Sequence, residues 1–182
     1  MGRMLYSVTM SLDGFIAGPG GDMGWLAEFI SDEPDPLVDQ LIADTGALLV
    51  GRTTFGGDDP NKGTDGEGKA FGGGWDGPQF VLTHHAPDES IPGITYVGDI
   101  DGAIELSTAA AGDKFVNILG ADTARQVLQA GALDEVVVFI VGVLLGDGVR
   151  LFDHPGGTQV RLERIDSHQT EMATGLRFRV LH

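Results

Sequence analysis

The stretch KFVNILGADTARQVLQA, residues 114–130, decides the fold. Residues 114–119 form a short run rich in apolar and β-branched side chains, and such a run is a strand. Gly120 breaks it. Residues 123–130 then read as a helix that ends near Gly131, where glycine suits a C-terminal cap. The unit is therefore strand, tight turn, helix. It recurs at residues 47–55, where the fully apolar ALLV is followed at once by Gly51-Arg52-Thr53-Thr54-Phe55.

Working outward, strands are expected at residues 5–10, 79–83, 94–97 and 134–143. Helices are expected at residues 37–44, preceded by Pro34 and Pro36, and at 100–111. Residues 158–165 and 171–181 alternate in the manner of a two-stranded ribbon. Continuous apolar strands such as ALLV and VVVFIV fit a sheet covered on both faces. Strands alternating with helices, closed by a strand pair, predict a three-layer α/β/α domain with a mostly parallel sheet and an antiparallel edge. The chain of 182 residues is read as one domain over residues 1–182. Residues 56–77 hold nine of its 29 glycines and are expected to be a flexible surface loop.

Composition removes several functions. The net charge is −16, and residues 4–51 carry eight acids with no Lys or Arg. A nucleic-acid or anionic-membrane surface needs a basic footprint, which is missing here. Cysteine is absent, so disulfides, thiolate metal sites and cysteine nucleophiles are excluded. The N-terminus lacks the apolar core of a signal peptide, and the longest apolar run is half a membrane span. A cytoplasmic protein is expected.

Ligands of open α/β sheets gather beyond the carboxyl ends of parallel strands. Gly51-Arg52-Thr53-Thr54 offers backbone N–H groups, hydroxyls and a guanidinium, which are parts for holding phosphate. Thr83-His84 offers a hydroxyl and an imidazole. Gly120-Ala121-Asp122-Thr123 opens a helix with small residues, with Asp122 or Thr123 expected as its cap. Asp13, after the first strand, places a carboxylate where a substrate can meet it. No GxGxxG, Walker, GxSxG or HExxH pattern occurs. No metal site is expected.

Six segments in order resemble the dihydrofolate reductase-like superfamily, in particular the C-terminal reductase domain of the bifunctional riboflavin-biosynthesis deaminase-reductase and stand-alone proteins built on it. They are SVTMSLDGFIA (7–17), LVGRTTF (49–55), FVLTHH (80–85), GADTARQ (120–126), AGALDE (130–135) and VLLGDGVRLF (143–152). The resemblance implies a bound NADPH. Gly51, Arg52, Thr53 and Thr54 match the segment that grips its phosphates. Thr83 and His84 match the rim near the adenosine 2′-phosphate, and Gly120, Ala121, Asp122 and Thr123 match the diphosphate turn. Ile16 and Ala17 match the backbone beside the nicotinamide. Trp25 and Met10 are the matching substrate contacts. Where the family carries a Gly-Gly pair preceded by glutamate, this chain has Ile118-Leu119-Gly120. The folate-reductase carboxylate register falls near Ile30, flanked by Glu28 and Asp32.

The implied activity is NADPH-dependent hydride transfer to a small heterocyclic or carbonyl substrate, pterin- or pyrimidine-like, with a proton from Asp13 or from water. Two alternatives stand beside it. One is the riboflavin-pathway 5-amino-6-(5-phosphoribosylamino)uracil reductase, and the other a non-enzymatic nucleotide- or pterin-binding module. The resemblance also predicts a homodimer paired through the C-terminal strands, and an uncovered edge at residues 136–143 would favour such pairing.

Overall fold

The computed structural model describes residues 2–30, 35–88 and 90–182. Pro34 and Asp32, named above, lie outside the described residues. The described residues hold ten strands: β1 (Arg3–Ser11), β2 (Phe15–Ala17), β3 (Thr45–Gly51), β4 (Gln79–Leu82), β5 (Ile94–Val97), β6 (Phe115–Leu119), β7 (Leu133–Val141), β8 (Val149–Arg150), β9 (Arg161–Gln169) and β10 (Ala173–Leu181). The helices are α1 (Pro36–Asp44), α2 (Arg52–Phe55), α3 (Ile100–Ala111) and α4 (Ala121–Gln129). Asp35 starts α1 by accepting the backbone N–H of Leu37 at 2.9 Å, with Pro36 in the first turn.

Eight strands form one sheet in the order β5-β4-β3-β6-β1-β7-β10-β9. The strands from β5 to β7 run parallel, and β10 and β9 close the sheet antiparallel. This is the expected mostly parallel sheet with an antiparallel C-terminal pair. β6 is inserted between β3 and β1, so the chain reverses its direction of travel there. Crevices open at such reversals.

Alternation along the strands builds the two cores. Met4, Tyr6, Ala47, Leu49, Val116, Ile118, Val136 and Val138 face α3 and α4. There Ala103, Ala111, Ala124 and Val127 present short side chains, so the helices lie close to the sheet. Leu5, Phe115 and Val137 face the other way, under Leu37 and Leu41 of α1. Each fully buried Leu or Val contributes roughly 1.5–3 kcal/mol. Three layers result, as expected.

β7 is no edge: it is hydrogen-bonded to β1 on one side and β10 on the other, so residues 136–141 lie inside the sheet. The edges are β5 and β9. The sequence also gave no sign of the small second sheet, in which β2 pairs antiparallel with β8. Both strands are too short to show a period. The glycine-rich segment is a series of turns with definite anchors. Asp59 accepts the backbone N–H of Asn61 and Gly68, and the Trp75 indole donates to the Thr45 carbonyl at 3.0 Å. Asp58 accepts the Met23 N–H at 3.1 Å and so ties this segment to the one bearing Trp25.

Candidate active site

Four neighbouring strands end in the turns singled out above. β3 ends in Gly51, and β6 beside it ends in Leu119 next to Gly120, with Val50 and Leu119 in register. β4 ends beside Gly51 and leads to Thr83. β1 ends in the turn that carries Asp13.

The β3 and β6 turns interlock. A Cβ placed on Gly51 would lie 2.6 Å from Thr123 Oγ1, and one on Gly120 would lie 2.5 Å from Thr54 Oγ1. Each glycine therefore admits a threonine from the opposite turn. Gly120 has φ +105°, a conformation that side-chain-bearing residues rarely adopt. It occupies the N-cap of α4, and no side chain caps the helix. The expectation that Asp122 or Thr123 caps α4 is thus overturned. The helix starts two residues earlier, at Ala121. Thr123 is buried in its first turn, and Asp122 turns along the helix to Arg125 and Gln126. The Arg125 guanidinium hydrogen bond, helped by Gln126, holds the Asp122 carboxyl below the usual carboxylate range. Its charge is answered locally, and the first backbone N–H groups of α4 carry no side-chain acceptor. Such a helix start accommodates an anion.

Arg52 begins the four-residue α2 and is exposed. Its guanidinium donates to the His85 carbonyl at 3.5 Å, which brings it to the β4 turn. Thr83 is buried. Its hydroxyl accepts the His85 N–H at 3.2 Å and is spent within that turn, while the imidazoles of His84 and His85 are exposed. Thr53 is exposed beside Arg52. Arg52, Thr54, His84, Gly120 and Thr123 therefore belong to one continuous rim, as their places on adjacent strand ends predict.

The Asp13 carboxylate is held by neighbouring donors. Ser11 donates its hydroxyl to Asp13 at 2.6 Å, and the backbone N–H groups of Leu145 and Gly146 donate at 3.1 and 2.7 Å. These bonds, the Ser11 hydroxyl first, lower its pKa. A carboxylate so held accepts three hydrogen bonds. It fastens the β1–β2 turn to the loop before β8. The zipper continues through the Leu151 N–H, which donates to the Gly14 carbonyl at 3.0 Å. Ile16 and Ala17 are buried in β2, and Gly148 passes so close to the Ala17 carbonyl that no Cβ would fit.

A cleft of about 420 Å³ lies between this zipper and the start of α4. Ala121, Asp122, Arg125, Gly148 and Arg150 line it. Arg150 stacks on the Phe15 ring at 4.6 Å. The segment 143–152 was legible as a motif, yet nothing in it showed that Arg150 would reach this cleft. Trp25 lies in the short 3-10 segment Gly24–Phe29, edge-on to Phe29 at 6.2 Å, with its buried indole N–H unpartnered among the described residues. Met10 alternates with Tyr6 and Val8 onto the α3–α4 face. Among the described residues, no group of three or more His, Asp or Glu is placed to hold a metal.

A mostly parallel sheet with its crevice at a strand-order reversal, and two glycine turns locked at its carboxyl end, is an α/β architecture that gathers ligands beyond its strand ends. The chain belongs to the RibD C-terminal domain family, whose model matches residues 4–91 and 105–174. This is a family of riboflavin-biosynthesis reductases, oxidoreductases of the dihydrofolate reductase-like fold. Solved structures agree with the fold. A Shewanella sp. PV-4 protein ascribed to riboflavin biosynthesis is 23% identical, with a TM-score of 0.76 over 99% of both chains. A Thermotoga maritima diaminohydroxyphosphoribosylaminopyrimidine deaminase/5-amino-6-(5-phosphoribosylamino)uracil reductase is 18% identical, with a TM-score of 0.68 over 99% of this chain and 57% of its own. This chain thus spans little more than half of that protein. A pyrimidine reductase-like protein from Corynebacterium diphtheriae is 13% identical, with a TM-score of 0.65 over 100% of this chain and 92% of that one. The comparison with curated sequences gives no match. Among the described residues, no helix is long and apolar enough to cross a membrane.

Proposed function

We propose that this protein is an NADPH-dependent reductase of a pyrimidine-like heterocycle. The interlocked pair of turns, Gly51–Thr54 against Gly120–Thr123, carries this reading. It supplies hydroxyls, a guanidinium and an uncapped helix start around one crevice, and these fit a dinucleotide's phosphates. When bound, NADPH supplies a hydride. The chain's part is to hold the phosphates, to close the Asp13 zipper over the ends of β1 and β7, and to orient the acceptor. Because Asp13 is fixed as an acceptor, water is the better proton source. A phosphoribosyl pyrimidine adds one phosphate to be held. Lys62 stands 4.0 Å from Asp58, the residue that grips Met23, and so places a cation in the segment tied to the Trp25 region. NADPH oxidation with a panel of pyrimidines, their phosphoribosyl derivatives and pterins tests the reading. Cofactor binding without turnover of any of them would favour the non-enzymatic module.

Arg52 is assigned to the 2′-phosphate. Its guanidinium reaches the β4 turn beside His84, and Lys62 and Lys69 are the other cations between residues 4 and 113. A charge-assisted hydrogen bond contributes about 1.5–3 kcal/mol, or roughly 10- to 150-fold in affinity. Arg52→Ala is expected to weaken NADPH by that factor and leave NADH nearly unchanged in calorimetric titrations. Equal losses for both would place Arg52 on the shared diphosphate.

The edge strand β9 supports a homodimer. Leu162 and Ile165 on this open edge are exposed, and a two-fold axis perpendicular to the sheet would set two β9 edges antiparallel. Light scattering at micromolar concentration is expected to show a dimer, and Leu162→Asp a monomer.

A further inference from the structure

The face of the sheet beneath α1 carries a feature that the cofactor rim does not use. Along β1, Leu5, Ser7 and Thr9 point to that face. Leu5 is sealed under Leu37 and Leu41. Ser7 and Thr9, on a strand with neighbours on both sides, are nevertheless partly exposed, as is Phe139 in register with Thr9 on β7. The nine-residue α1 packs over Leu5 and Val137, and Ser7, Thr9 and Phe139, nearer the carboxyl ends of the strands, keep partial solvent access. The Ser7 hydroxyl donates to Asn117 Oδ1 at 2.9 Å. Asn117 is fully buried in the apolar run of β6, beside Leu5 and Leu48 in register. Its amide Nδ2 has no hydrogen-bond partner among the described residues. An unsatisfied buried donor is a standing cost to the fold, and sites where a sequence breaks this rule are where function is sought.

We infer that Asn117 is a positioning residue that locks the Ser7 hydroxyl, and that Ser7 reads a ring N–H of the substrate. With its proton committed to Asn117, Ser7 Oγ keeps only lone pairs for an incoming ligand. It is then an acceptor of fixed polarity on a rigid central strand. The substrate edge that enters deepest must carry an N–H, as a lactam ring of a pyrimidine does. This rests on the pyrimidine reading above and adds which edge is recognised and by what.

The test is calorimetric titration of the NADPH-loaded protein with 5,6-diaminouracil and with its 1,3-dimethyl analogue, which lacks both ring N–H groups. The wild type is expected to favour the unmethylated ring about tenfold, the worth of one such hydrogen bond. Ser7→Ala and Asn117→Leu should each abolish the preference, and the double variant should be no weaker than either single one. NADPH affinity should be unchanged throughout. Asn117→Leu should melt no lower than the wild type, because it removes the orphaned donor while Ser7 keeps access to water. A purely structural Asn117 would instead lower the melting temperature. Ser7→Ala truncates a partly exposed side chain and carries the test by itself if the other variant misfolds. A preference retained in both variants overturns the inference and leaves the pyrimidine reading standing. Failure of both rings to bind, with NADPH still bound, overturns the pyrimidine reading and this inference with it.

Discussion

Gly120→Val should abolish tight cofactor binding, raising the Kd for NADPH at least 100-fold, while the protein still folds. The substitution acts twice. First, φ at residue 120 is +105°, and a β-branched residue forced into such a region costs of order 1–3 kcal/mol. Second, the new Cβ would meet Thr54 Oγ1 at 2.5 Å, so the β3 turn must move away from α4. The threonine is itself branched and set at the start of α2, so rotation alone gives little relief. Both halves of the phosphate rim are displaced together. For a chain of this length each kcal/mol lowers Tm by roughly 2–4 °C, so a fall of about 2–12 °C is expected. Gly131→Ala is the control. Gly131 also has a positive φ, +70°, but nothing lies within 4 Å of its Cβ position. It should lose comparable stability and bind NADPH normally. If the two variants bind alike, the interlocked turns are no phosphate cradle.

The second large effect lies at the opposite end of the sheet. Glu135→Gln should destabilise the fold by about 3–5 kcal/mol, the usual result of stranding one partner of a buried ion pair. Glu135 is 3% exposed and lies near the start of β7, between two arginines. Arg177 donates Nε to its Oε2 at 2.7 Å, and Arg3 donates to Oε1 at 3.2 Å. Both guanidiniums stack on Phe115, at 5.4 and 4.1 Å. The two bonds are unequal in weight. The Arg3 side chain is 55% exposed, so water and salt screen it, and its pair is worth at most about 1 kcal/mol. The Arg177 side chain is 12% exposed and has no such recourse. Arg3→Ala should therefore be mild. Glu135→Leu combined with Arg177→Met should recover most of the loss, because apolar groups of similar size often replace a buried pair without penalty. Denaturant titration of the single and double variants reads these differences directly. A Glu135→Gln protein within 1 kcal/mol of wild type would mean that Arg177 finds water on its own.

Sequence alone determined the strands whose burial is two-sided. ALLV at residues 47–50 and VVVFIV at 136–141 fit a sheet covered on both faces, and the turn chemistry at Gly51 and Gly120 marked the carboxyl end as the candidate site. These are local facts: apolar run, glycine, helix start. Tertiary structure decided how the pieces meet. Nothing in the sequence says that β6 enters between β3 and β1, yet that insertion presses Thr54 into Gly120 and Thr123 into Gly51. Chain order likewise hid the backbone partners that Asp13 finds more than 130 residues away, at Leu145 and Gly146. An Asp-Gly turn after a strand looks the same whether its carboxylate faces a substrate or fastens a loop. The Ser7–Asn117 pair was hidden for the same reason, since a polar residue inside an apolar run gains meaning only from the side chain that folding lays beside it.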